Sequence, residues 1–280
     1  MSISSFPSQL RHARWPLVLA ILLLFERLPA IESARAAGCA LAPQGEGHVV
    51  EIIDERSFRL ADGREIRMAG IEPALPEADA NSRTAALAAI LAGRDVTLRG
   101  TDDTPDRYGR QTAFVFLASS ETQPSKTQPS ETLVQSLLLA QGAALASADI
   151  ADKECEGILM GAEAEARQAK KGAWNGSTAM KKAEIPDDIL AAIGRFAVVE
   201  GKVLSVRQAG ATTYLNFGRN WTRDFAATIS RRAMPAIEAG GIVLKSLENR
   251  QIRVRGFIEA RPGPRIELLR AAQIEVLSDN

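Results

Sequence analysis

Three aromatic residues and an arginine crowd one short run, Thr213-Tyr214-Leu215-Asn216-Phe217-Gly218-Arg219-Asn220-Trp221, and Arg253, Arg255 and Arg265 lie in strand-like text downstream. Aromatic faces stack on nucleobases and arginines neutralise phosphates, so such a set is suited to binding single-stranded nucleic acid. The same residues also read as ordinary structure: Tyr214, Phe217 and Trp221 could pack a core or hairpin while alternate arginines point outward from strands.

Cys39 and Cys155 are the only cysteines. One disulfide between them suits an oxidising compartment; the alternatives are two free thiols, or a lipid on Cys39, which follows Ala36-Ala37-Gly38. The only histidines, His12 and His48, leave no basis for a multi-histidine zinc site. No glycine-rich loop of the Walker type occurs, and nothing points to a haem or flavin. Formal charge sums to zero over 280 residues. That sum hides an acidic excess from Gly38 to Gly176 and a basic one from Arg195 to Asn280, so attraction for a polyanion should be stronger in the C-terminal part.

The elements that must position these residues are strand-rich. Val49 to Ile53, Phe58 to Leu60 and Glu65 to Ile71 read as strands, the last two joined by the hairpin signal Asp62-Gly63. Pro73 and Pro76 precede a helix at about Ala78 to Leu91, ended by Gly93. Val96 to Arg99 and Thr112 to Leu117 complete five strands around one helix, an order that suits a small closed barrel. Ser119 to Thr132 repeats Thr-Gln-Pro-Ser and reads as a surface insertion. Helices follow at Leu133 to Gln141 and Lys153 to Lys171, then a polar linker. From Phe196 the pattern again gives five strands with a helix near Pro235 to Ala239, an OB-type barrel. The expected class is therefore β-rich α+β: an OB-fold barrel with three helices, then a smaller OB-like β-barrel.

Ile53-Asp54-Glu55-Arg56-Ser57, Ile66-Arg67-Met68-Ala69-Gly70-Ile71-Glu72, Asp106-Arg107-Tyr108-Gly109-Arg110 and the helix ending Gln141-Gly142-Ala143-Ala144 fall in the order of corresponding segments of the staphylococcal nuclease family. From about Gly47 to Trp174 the chain resembles that family. The resemblance implies an OB barrel and phosphodiester hydrolysis with a calcium ion, in which acidic oxygens hold the metal, two arginines clamp phosphate and a carboxylate activates water.

Carried over residue by residue, the resemblance puts Arg67 and Arg110 at the phosphate-binding positions and Glu72 at a metal ligand, with Asp54 a second possible ligand. It also shows departures. Arg56 stands where the family has an acidic metal ligand, and could serve as a third phosphate contact. Leu75 occupies the position of the catalytic glutamate, unless Pro73-Ala74 is an insertion and Glu77 supplies the base. Arg67 and Arg110 could equally be surface ion pairs with Glu72, Glu55 or Asp54, and Tyr108 a packing residue of its loop.

Arg11 and Arg14 before the apolar run Trp15 to Phe25, followed by Ala34-Arg35-Ala36, read as a signal peptide. The run is shorter than the roughly twenty residues that span a bilayer, so no membrane span is expected in the mature chain, although an uncleaved anchor is an alternative. The expected organisation is a signal peptide over 1–36, a nuclease-like domain over 45–175, a linker over 176–194 and an OB-like barrel over 195–280. The expected function is an exported, periplasmic or secreted protein that binds nucleic acid or another polyanion, with hydrolysis weak or lost. Its alternatives are an active metal-dependent nuclease using calcium, and an envelope scaffold that docks a protein partner.

Overall fold

In Ser57-Phe58-Arg59-Leu60 and Glu65-Ile66-Arg67-Met68 every second side chain is apolar, so a pleated strand sends Phe58, Leu60, Ile66 and Met68 to one side. All four are buried. The structure, a computed structural model, describes residue 39 and residues 41–76, 79–118, 131–148, 150, 152–176 and 178–277. The expected signal peptide, Glu77 and residues 119–130 of the expected insertion lie outside the described residues.

The first barrel is built from β1 (Ala42–Asp54), β2 (Ser57–Leu60) and β3 (Glu65–Met68), then β4 (Ile71–Pro73), α1 (Ala80–Leu91), β5 (Asp95–Gly100) and β6 (Arg110–Ala118). Register irregularities bend β1, so its first half pairs with β5 and its second half with β2. β2 continues to β3, β3 pairs in parallel with β6, and β6 returns to β5, closing the ring. The hairpin between β2 and β3 turns at Gly63, whose φ of 91° favours glycine. β7 (Glu131–Leu133), α2 (Val134–Ala140), β8 (Ala144–Ala146) and α3 (Lys153–Gln168) complete the unit. Buried Gln135 of α2 accepts from Val115 N–H at 3.2 Å and donates to the carbonyls of Ala69 and Ala113, fixing that helix on the barrel rim. Asp152 caps α3 by accepting from Cys155 N–H at 2.8 Å.

The second unit comprises β9 (Met180–Lys182), α4 (Pro186–Leu190), β10 (Phe196–Lys202), β11 (Ser205–Ala209), β12 (Thr212–Asn216), β13 (Ala226–Ser230), α5 (Met234–Ala239), β14 (Gln251–Ala260), β15 (Pro264–Glu267) and β16 (Ile274–Val276). β10 and β11 are two halves of one bent strand, the first pairing with β14 and the second with β12. β12 pairs with β13, β13 runs parallel to β15, and β15 returns to β14. These pairings repeat the strand order of the first barrel, so both are OB-type.

The stretch expected to be a linker is structured: β9 adds in parallel to β10, and Ile189 of α4 is fully buried. Its polar text hid this because Lys181, although buried, is neutralised by Asp188 at 3.0 Å. Each barrel has its own apolar core. A third cluster, with Ala74, Leu145, Trp174, Phe196 and Val198, joins them. Among the described residues no helix is long and apolar enough to cross a membrane.

Candidate functional site

The turn between β1 and β2 brings Arg56 toward β4. Asp54 shapes this turn by accepting the Arg56 backbone N–H at 2.8 Å. The Arg56 guanidinium forms a close ion pair with Glu72 and donates to the Ile71 carbonyl at 3.3 Å, both charged side chains being largely buried. Arg67 on β3 approaches the same carboxylate at 4.0 Å. Parallel pairing sets Arg67 opposite Thr112 and Glu65 opposite Arg110. Since side chains alternate, Arg67 and Arg110 share one face of adjacent strands. Arg110 is held by two bonds to Asp106, at 3.1 and 2.8 Å, with its guanidinium 4.9 Å from the centre of the Tyr108 ring.

The electrostatics follow from this crowding. Burial lowers the Arg67 pKa, and the fields of Arg56 and Arg110 lower it further, while Glu72 works the other way. Burial raises the Glu72 pKa above the ordinary carboxylate value, Arg56 and Arg67 drawing it back only in part. Arg110 raises no such conflict, because its bond to Asp106 holds that carboxyl at about 2.

The described carboxylates that would hold a metal are committed elsewhere. Glu72 is bound by Arg56, Asp54 caps its turn, and Glu55 pairs with buried Arg83 at 2.8 Å. Leu75 packs against the core of the second barrel. Among the described residues no three His, Cys, Asp or Glu side chains gather as a metal site. The metal role expected of Glu72 and Asp54 is thus not met by their surroundings: a guanidinium already occupies the carboxylate that would carry it.

Residues 77–176 match the family model for staphylococcal nuclease homologues. Over that segment the chain is similar to staphylococcal nuclease homologues. Comparison with curated proteins gave no match. The matched segment contains Asp106-Arg107-Tyr108-Gly109-Arg110 and begins after Arg56, Arg67 and Glu72. In this nuclease-like chain the second barrel leans over the arginine cluster. A cleft of about 390 Å³ is lined by Arg56, Arg67 and Glu72 on one side and by Phe257, Glu259 and Glu267 on the other.

The C-terminal residues separate into two groups. Phe217 is buried against Phe225, with ring centres 5.1 Å apart. Arg255 is 1% exposed and donates to the Glu163 carboxylate at 2.9 Å and the Ala146 carbonyl at 3.0 Å. Arg253 pairs with Glu200 and Glu275. Phe217, Arg253 and Arg255 therefore do not form part of an open binding surface: the first fills the barrel core, and the arginines join a charge network reaching the first barrel through Arg167 and Glu163. Tyr214, Arg219 and Trp221 do reach the surface. Arg207 and Arg261, which sequence reasoning passed over, join them there. Cys39 and Cys155 are bonded, with Cα atoms 4.8 Å apart, tying the start of the described chain to α3.

Proposed function

We propose that this chain is an exported, nuclease-like protein that holds a phosphate of nucleic acid or another polyanion against Arg56, Arg67 and Arg110 without hydrolysing it. The observation that carries this reading is the ion pair between Arg56 and Glu72. Calcium takes roughly six to eight oxygen ligands, and this donor set does not fit one, since the carboxylate that should face the ion faces a guanidinium. With Leu75 packed against the second barrel's core, no described carboxylate stands ready to activate water. Binding has better support than hydrolysis. Arg67 feels the fields of the Arg56 and Arg110 guanidiniums, and an arriving phosphate would offset that repulsion while accepting bonds from the Arg67 fork. The disulfide supports export, because such bonds persist in oxidising compartments.

The test follows labelled single-stranded DNA and RNA with calcium, magnesium or chelator present, alongside binding of inorganic pyrophosphate. The expected result is no cleavage in any condition, and salt-sensitive pyrophosphate binding that Arg67→Gln weakens at least tenfold. Metal-dependent cleavage abolished by Glu77→Gln would overturn the reading.

A further inference from the structure

The most exposed large apolar side chain among the described residues is Trp221, at 73%. It stands on a loop fixed by its own hydrogen bonds: Asn220 N–H donates to Asp224 Oδ2 at 2.7 Å, Asp224 N–H returns to the Asn220 carbonyl at 2.7 Å, and Thr222 N–H and hydroxyl both donate to Asn220 Oδ1. The indole is therefore presented to solvent by a loop held in place by its own hydrogen bonds.

Two grooves adjoin it, one on the outer face of β12 and β13 and the other beside β11 and the start of the Gly218–Trp221 loop. One, about 390 Å³, contains Tyr214 and Thr228 and is walled by Arg261-Pro262-Gly263. The other, about 590 Å³, reaches Arg219 and Asn249. Trp221, Arg207 and Asn216 line both. Tyr214 and Asn216 face outward because Leu215 between them fills the core. The β12–β13 face, together with the loop joining β14 to β15, is where OB barrels generally receive oligomeric ligands. Arg207, Arg219, Arg261 and Arg265 border the grooves against Asp224, and Glu259, which lines the cleft of the first barrel, lies 3.7 Å from Arg261 and 3.4 Å from Arg265. The balance is cationic.

We infer that the second barrel binds single-stranded nucleic acid, with one base in each groove, the Trp221 ring between them, and the connecting phosphate on Arg207. Each groove lies within the size range of pockets that hold one small ligand. Duplex bases are already stacked on each other and cannot use an indole, so the site selects unpaired strands. This site is separate from the arginine cleft of the first barrel and does not depend on it.

The test is fluorescence anisotropy of a labelled oligothymidylate on the whole, disulfide-bonded chain, with heparin, duplex DNA and an acidic peptide as competitors. Trp221→Ala should weaken binding at least tenfold, Trp221→Phe should recover most of that loss, and the melting temperature should not move, because the side chain is exposed. Arg207→Gln should flatten the salt dependence by roughly one phosphate's worth, about 0.7 in log–log slope. In the Arg67→Gln background, which removes the cleft's own phosphate contact, Trp221→Ala should still weaken oligothymidylate binding at least tenfold, so the failure of either site is read separately. Unchanged affinity in Trp221→Ala, or competition by heparin or the acidic peptide as strong as by unlabelled oligothymidylate, would overturn the inference.

Discussion

Replacing Arg255 with methionine should separate the two barrels energetically more than any surface change. Arg255 and Glu163 are 1% and 0% exposed and meet at 2.9 Å, one on β14 and the other on α3. Removing one partner of a buried pair costs about 3–5 kcal/mol, because the other charge is left without its counter-ion. Here Glu163 keeps Arg167 at 3.2 Å and the Ala146 N–H at 2.6 Å, so the lower end, about 3 kcal/mol, applies. For a protein of this size each kcal/mol moves the melting temperature by roughly 2–4 °C, giving a fall of about 6–12 °C in Arg255→Met. Circular dichroism melts would read this directly. The double variant Arg255→Met, Glu163→Gln should recover at least about 1 kcal/mol, since the orphaned charge is gone while an acceptor for the Ala146 N–H remains. A melting point within about 2 °C of the parent, or strictly additive losses, would refute the reasoning.

Arg56→Asp should create calcium binding at roughly millimolar affinity by setting a second carboxylate beside Glu72; titration calorimetry checks it, and identical heats in parent and variant would count against the cation-for-metal reading. Reducing the disulfide, which closes a sequence separation of 116, should lower stability by about 2–5 kcal/mol in urea titrations. Equal midpoints with and without reductant would show that the bond constrains nothing the folded chain does not already hold. Asp106 has a folded pKa of about 2, below its ordinary 3.8. Its pairing with Arg110 is therefore complete above about pH 4 and lost as pH falls toward 2. Asp106→Asn should erase the corresponding step in the NMR shifts of Tyr108 and Arg110, and its persistence would assign the step to another group.

Much of the fold was legible because local signals agree with one another. Asp62-Gly63 fixes a hairpin, Gly93 stops α1, and the alternation of Phe58, Leu60, Ile66 and Met68 sets the inner face of the first barrel. The candidate site was legible only in outline. Alternation along β14 correctly sends Ile252, Val254 and Ile258 inward and Arg253, Arg255 and Phe257 outward. It does not reveal that this outward face meets the other barrel, so Arg255 looked like a solvent-facing cation although it is buried. β9 escaped notice for a related reason: three residues pairing in parallel leave no periodic pattern. The arginine at position 56 was visible as a departure from the family. That its partner is Glu72 depended on the bend bringing β4 beside the first turn.

The guanidinium of Arg56 is joined to the backbone by covalent bonds, whereas a calcium ion comes and goes with its concentration outside the protein. A protein that relies on the first kind of charge is insensitive to chelators and to swings in mineral supply. Its cation cannot be withdrawn, exchanged for a different metal or used as a signal. For the phosphate site proposed above, what remains able to modulate binding is ionic strength, so saline and dilute surroundings would separate its engaged and idle states.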